Sequence, residues 1–237
     1  MKIVYLPALP LNSQMYEDQM RALPGLGVDY PGFAGRPLRK GMTLADYAQD
    51  VLEQMDGAGI QKAALVGTSI GAQLALYIAA HHPDRVDRLV LTATHALPPS
   101  SQEVEMFQGI AAVAEAHGPG ALVDNFIQLL LAEKTRQEKP EVVERVRELI
   151  LAATGEGMAQ AFRVLATRPD PRPWLGKVRV PTLILWGAED RAVPLPHRGV
   201  LLRIGRSRLE IVPEAAHYPS LENPGFYTRA LAAFLEK

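Results

Sequence analysis

Continuous apolar runs of strand length restrict the fold of this chain more than any other feature of its sequence. The strongest runs are KAALVG at 62–67, RLVLTAT at 88–94 and PTLILWG at 181–187, and weaker ones are KIVYL at 2–6, RLEIVPEA at 208–215 and a short run around Val28. Apolar runs without polar alternation suit parallel strands that are buried on both faces. The sequence therefore predicts a mostly parallel sheet.

Helical patterns separate the predicted strands. Thr43 is a candidate N-cap for an amphipathic helix that runs to Met55, and a second helical pattern follows residue 69 and stops before Pro83. A last helix is predicted to begin with Asn223 as its N-cap and Pro224 as its first residue, because both residue types are favoured at those positions. This alternation predicts an open α/β sheet flanked by helices, with right-handed crossovers.

The stretch from 98 to 170 breaks the alternation. Apolar residues at helical spacing predict helices within 104–114, 123–130, 140–150 and 158–165, with no strand between them. We therefore predict one α/β core domain, formed by residues 1–97 and 171–237, with an all-helical insertion at 98–170.

Composition excludes several classes of protein. The 25 Lys and Arg residues nearly balance the 26 Asp and Glu residues, so the net charge is −1 and no basic stripe is available for nucleic acid. The chain has no cysteine, which excludes disulfides and thiolate metal ligands. No apolar run approaches the ~18 residues of a membrane span, and Pro7 and Pro10 interrupt the apolar start that a signal peptide needs. We expect a soluble, cytoplasmic protein without a nucleic-acid or membrane partner, of undetermined oligomeric state.

One serine lies where an apolar strand gives way to a helix. Ser69 is the centre of Gly67-Thr68-Ser69-Ile70-Gly71, which matches the G-x-S-x-G pattern of a sharp turn that exposes a nucleophilic serine. The pattern alone is weak because glycine and serine are common in turns. The preceding strand and following helix supply the context that the pattern requires, so Ser69 is a candidate nucleophile.

A serine nucleophile requires a histidine base. His217 follows the last predicted strand, at the edge where an α/β sheet builds its sites. The other histidines are His81 and His82 at the far end of the helix after Ser69, His95 after the second strong strand, His117 in the insertion and His197 in a loop. Their positions make His217 the best candidate for the base.

The base in turn needs a carboxylate to orient it. The loop after RLVLTAT offers none, whereas the loop after PTLILWG contains Glu189 and Asp190. One helix and one strand separate either residue from His217. This spacing brings the loop that carries the acid and the loop that carries His217 to the same edge of the sheet. With either acid, the chain order is serine, acid, histidine, as in hydrolases that carry the G-x-S-x-G turn.

Together GTSIG, PTLILWGAEDRAVP and PEAAHYPSLENP make the chain resemble an α/β-hydrolase-fold serine hydrolase. Within that fold it most resembles small capped esterases, enol-lactonases and the carbon–carbon bond hydrolases of aromatic breakdown. The resemblance covers the whole chain. It implies that Ser69 is the nucleophile, His217 the general base and Asp190 its orienting partner, with Glu189 only a neighbour. It also implies that the insertion caps the active site, and that no cofactor or metal takes part.

Two backbone N–H groups must stabilise the oxyanion of such an enzyme. One belongs to Ile70, directly after the nucleophile. The loop after the first strand supplies the other, and its prolines leave Ala8, Leu9 and Leu11 as donors. The family pattern His-Gly-x-Pro selects Leu9, although this chain has Pro7-Ala8 in place of His-Gly.

The resemblance also implies a substrate pocket under the cap. We expect His95, Met106, Phe107 and Phe126 to border it and the substrate to be a small, apolar acyl compound. The predicted reaction is hydrolysis of a carboxylic ester or similarly activated acyl compound through an acyl-enzyme. Carbon–carbon bond hydrolysis, perhydrolysis of the haloperoxidase type, acyl transfer and ligand binding with a little-used triad remain alternatives.

Overall fold

A computed structural model describes residues 1–193 and 199–236. Six parallel strands form one sheet in the order β2-β1-β3-β4-β5-β6. The strands are β1 Ile3–Leu6, β2 Leu26–Gly27, β3 Ala63–Thr68, β4 Val86–Thr92, β5 Thr182–Gly187 and β6 Ser207–Val212. The predicted parallel α/β sheet is confirmed.

The strands coincide with the predicted apolar runs, and burial accounts for this at the inner strands, whereas only Val212 is buried in the edge strand β6. Every residue of β1, β3 and β5 is buried, as expected for strands covered on both faces. β2 is shorter and starts earlier than predicted, and Val28 continues its pairing by donating its N–H to the Tyr5 carbonyl at 3.0 Å. β6 ends at Val212, before the loop that carries His217.

Helices from the parts of the chain before residue 98 and after residue 170 flank the sheet. They are α1 Glu17–Ala22, α2 Leu44–Gly57, α3 Ile70–His81, α9 Arg172–Leu175, α10 Pro219–Glu222 and α11 Pro224–Leu235. Thr43 caps α2 as predicted, in a reciprocal arrangement with Asp46 that pairs two backbone N–H groups. The Asn223 side chain caps α11 by accepting from the Phe226 N–H at 3.2 Å.

All residues between β4 and β5 are described, and none of them is in a strand. This segment contains α4 Ser101–His117, α5 Val123–Leu130, α6 Glu133–Glu138, α7 Pro140–Leu151 and α8 Gly155–Thr167. The short α6, EKTRQE, has no apolar periodicity, which is why its sequence gave no helical signal. The division of the chain into a core and a cap at residues 98 and 170 stays a prediction.

The segment docks onto the loop after β2 through a close backbone approach. At the start of α8, the Thr154 N–H and hydroxyl both donate to the Gly32 carbonyl, at 3.0 and 3.1 Å. A Cβ at Gly157 would lie 2.7 Å from both the Cα and the carbonyl oxygen of Gly32, so both glycines are needed for this approach. In the part of the chain that the structure describes, no helix has the length and apolarity to cross a bilayer.

Candidate active site

The carboxyl ends of five strands bring the candidate residues to one edge of the sheet. Ser69 lies between β3 and α3 with φ 56° and ψ −116°, a conformation that is strained for a residue with a side chain. A Cβ at Gly67 would overlap the Gly71 carbonyl, and a Cβ at Gly71 would overlap that of Leu6. The two glycines therefore make the tight strand-to-helix turn possible, and Ser69 stands partly exposed above it.

His217 and Asp190 form a buried pair beside this turn. Nδ1 of His217 lies 3.1 Å from Oδ2 and 3.3 Å from Oδ1 of Asp190, and the two residues are 4% and 7% exposed. Oδ1 also accepts from the N–H groups of Ala192 and Val193, at 2.9 and 3.2 Å. These bonds fix the carboxylate, so Asp190 can hold the imidazole in one orientation.

Of the two candidate carboxylates, the structure brings Asp190 to His217. The Glu189 backbone N–H donates to the Ala215 carbonyl at 2.9 Å, while the Glu189 side chain makes no hydrogen bond to His217 within the described ranges. Since successive residues point in different directions, only one of the two can face the imidazole.

One cavity of about 250 Å³ joins these groups. Ser69, Ile70, His217 and Leu9 border it. Its apolar lining comprises Ala93, Met106, Phe107, Ile110, Phe126, Leu129, Leu130, Phe162, Leu165, Ala192 and Val193, and its polar lining comprises Gln73, Thr94, His95, Glu103, Arg168 and Arg191. Ser69 and His217 share no hydrogen bond in the described structure, and such bonds are often long in free enzymes.

Of the three candidate oxyanion donors in the loop after β1, only Leu9 has an N–H group without an acceptor among the described residues. Ala8 donates its N–H to Sδ of Met15 at 3.2 Å, and Leu11 donates to the Ala8 carbonyl at 2.9 Å. The Leu9 N–H has no acceptor among the described residues, while the Leu9 carbonyl accepts from the Tyr218 hydroxyl at 3.0 Å. Ile70 is the first residue of α3, where a helix leaves its N–H groups unpaired.

His95 belongs to a polar network in the cavity wall. Its Nε2 lies 3.3 Å from Oε1 of Glu103, which also accepts from Nη2 of Arg168 at 3.1 Å. Burial raises the pKa of Glu103, but hydrogen bonds from Ser100 and the charges of Arg168 and His95 outweigh it and lower the pKa to about 2. Sequence reasoning missed Glu103 and Arg168, and only the S-x-x-E spacing from Ser100 to Glu103 marks the former, as a helix cap.

The aromatic residues proposed for the pocket line it from the helices above. Phe126 of α5 stacks on Phe162 of α8 at a centroid distance of 5.7 Å, and Phe107 of α4 lies 6.0 Å from the same ring. Met106 is 44% exposed and borders the cavity, so it lies at the rim.

Of the other histidines, His81 packs on Tyr77 and Trp174 at the far end of α3, His117 ends α4, and His197 lies outside the described residues. Among residues 1–193 and 199–236, no three His, Asp or Glu side chains are grouped closely enough to hold a metal ion.

Comparison with known proteins decides the family. Residues 3–224 match the family model described as alpha/beta hydrolase fold. The chain belongs to this family.

Relatives of this α/β hydrolase include esterases. It is 30% identical to pimeloyl-[acyl-carrier protein] methyl ester esterase of Neisseria meningitidis serogroup B, over 99% of this chain and 93% of the relative. A thermophilic esterase from Thermogutta terrifontis superposes with a TM-score of 0.94 at 30% identity, covering 100% of this chain and 89% of that one. The enol-lactonase from Burkholderia xenovorans LB400 has a TM-score of 0.91 at 26% identity, covering 99% of this chain and 91% of that one.

Proposed function

We propose that this α/β hydrolase is a serine hydrolase that cleaves a carboxylic ester or a similarly activated acyl compound. Ser69 is the nucleophile, His217 the general base and Asp190 the residue that orients it. The main support for the proposal is the buried Asp190–His217 pair, whose histidine borders the same cavity as a serine held in a strained turn. Strained backbone conformations of this kind are found most often at functional sites.

The reaction follows from these positions. Ser69 Oγ attacks the carbonyl carbon while its proton passes to Nε2 of His217, and the charge that develops on the carbonyl oxygen is stabilised by the N–H groups of Leu9 and Ile70. His217 then gives the proton to the departing alkoxide, which leaves an acyl-Ser69 ester. Water, deprotonated by His217, attacks this ester, and His217 returns the proton to Oγ of Ser69 as the acid is released.

The loop after β1 supports the choice of Leu9 for the oxyanion hole. The Ala8 and Leu11 N–H groups already have acceptors, whereas the Leu9 N–H has none among the described residues. Replacement of His-Gly by Pro7-Ala8 therefore leaves a donor available. A backbone N–H group without a protein partner at a cavity favours turnover over mere ligand binding, because it offers stabilisation to a negative oxygen.

The cavity lining and the relatives suggest the substrate class. Aromatic and aliphatic side chains from α4, α5 and α8 line most of the cavity, which suits an apolar acyl or alkyl group. We propose that residues 98–170, which contain these helices, form the cap. Similarity to a pimeloyl-[acyl-carrier protein] methyl ester esterase along 99% of the chain makes methyl esters of pimeloyl-like acyl chains the first natural class to test.

Steady-state hydrolysis of p-nitrophenyl esters of increasing acyl length tests the proposal. We expect turnover by the wild type and losses in kcat/KM on the order of 10³-fold or more in Ser69→Ala and His217→Ala. Ser101→Ala, an exposed serine at the start of α4, is the matched control and should keep wild-type activity. If the folded wild type turns over none of these esters, simple esterase activity is excluded. Carbon–carbon bond hydrolysis or ligand binding then becomes the favoured function.

A further inference from the structure

The fully buried carboxylate of Glu222 accepts hydrogen bonds from the backbone on both sides of His217. Oε1 of Glu222 accepts from the N–H of Ala216 at 2.9 Å and from the N–H of Tyr218 at 3.2 Å. These two residues directly precede and follow His217. One oxygen atom therefore fixes the backbone from which the imidazole projects.

The second oxygen of the same carboxylate reaches the helical segment above the cavity. Oε2 of Glu222 accepts from the N–H of Ala132 at 2.7 Å and from the hydroxyl of Thr135 at 2.9 Å. The His217 N–H adds a direct link to this segment by donating to the Leu130 carbonyl at 3.0 Å. The histidine loop is thus hydrogen-bonded to residues 130–135 rather than only to the sheet.

Retaining a carboxylate at this depth is costly. Burial raises the pKa of Glu222, and the hydrogen bonds from the Ala132, Ala216 and Tyr218 N–H groups and from the Thr135 hydroxyl oppose this effect. Four donors occupy the roughly four lone-pair sites of an ionised carboxylate. An apolar side chain could fill the same volume without this cost but could not hold four donors. The four hydrogen bonds therefore indicate that Glu222 serves to hold the surrounding backbone in one arrangement.

We propose that Glu222 is a positioning residue for the general base: its carboxylate, which the segment 130–135 helps to hold in place, sets the position of His217 relative to Ser69. The inference rests on the proposed function of His217. Because a misplacement of about 1 Å can reduce a rate by ~10²-fold, loss of this anchor affects the chemical step more than substrate binding.

Glu222→Gln tests this proposal with little change in shape. The amide NH₂ of glutamine cannot accept a hydrogen bond, so it opposes two of the four donors whichever way it is turned. We expect kcat per active site, titrated with an organophosphonate, to fall by about 10- to 100-fold while KM changes far less. Glu222→Asp keeps the charge but shortens the side chain, and should retain more activity than Glu222→Gln.

Thr135→Val is the matched control because it removes a donor from the same carboxylate on the side away from His217. We expect a lower melting temperature but a kcat per active site within about threefold of the wild type, since the bonds to Ala216 and Tyr218 remain. Wild-type kcat per active site in Glu222→Gln, or an equal loss in Thr135→Val, overturns the positioning role.

The result can be separated from failure of the proposed function. If Ser69→Ala remains active, the proposed function fails; if Ser69→Ala is inactive and Glu222→Gln is normal, only the role of Glu222 fails. Should Glu222→Gln not fold, amide hydrogen exchange in the wild type decides. The N–H groups of Ala216 and Tyr218 should exchange slowly, and rapid exchange at both overturns the proposal.

Discussion

At the scale of single residues, hydrogen bonding selects one of two adjacent acids. Glu189 and Asp190 follow the same strand, so their spacing from His217 leaves either as its partner, and only the family resemblance selects Asp190. The structure places the Asp190 carboxylate 3.1 Å from Nδ1 of His217 and fixes it with two backbone N–H groups. The difference between the two acids is the direction of a side chain, which chain order does not encode.

Asp190→Asn tests this selection. The amide preserves the shape but removes the negative charge that stabilises a protonated His217, so we expect kcat/KM to fall by on the order of 10³- to 10⁴-fold. Glu189→Gln is the matched control one residue away and should remain within about threefold of the wild type, because in the described structure the Glu189 side chain makes no hydrogen bond to the imidazole. Steady-state ester hydrolysis measures both, and an equal loss in the two variants contradicts the assignment.

At the scale of elements, the position of α8 depends on a contact between two glycines. Gly157 in the first turn of α8 lies against Gly32 in the loop after β2, and Thr154 donates to the same residue. The helix itself is predictable from the spacing of its apolar residues. Its docking is not, because the sequence gives no sign that these two glycines meet across 125 positions.

Gly157→Ala should destabilise the fold although alanine favours helices. The added Cβ would meet Gly32 backbone atoms at 2.7 Å, so we expect a loss of about 1–3 kcal/mol in the free energy of unfolding. Gly109→Ala, in α4, meets nothing within 4 Å and should stabilise by about 0.5–1 kcal/mol. Urea unfolding compares them, and equal effects argue against close docking of α8.

In the molecule as a whole, the positions of the strands along the chain were predictable because each buried strand is a continuous apolar run in the sequence. The GTSIG turn, His217 and the two candidate acids follow from strand ends, since parallel strands bring their carboxyl ends to one edge. Glu222, Glu103 and Arg168 did not follow. Each also has a partner that is distant in the chain, since Glu222 accepts from Ala132 and Glu103 accepts from Arg168, and a charged residue looks like a surface residue until the packing is known.

Covalent labelling tests the nucleophile assignment most directly. The protein is treated with a fluorophosphonate, and the modified residue is located by peptide mass spectrometry. We expect one phosphonyl adduct per chain, on Ser69, with labelling slowed at least 10²-fold in His217→Ala because the base activates the serine. Labelling of a different serine, or labelling at an unchanged rate in His217→Ala, contradicts the assignment of Ser69 and His217.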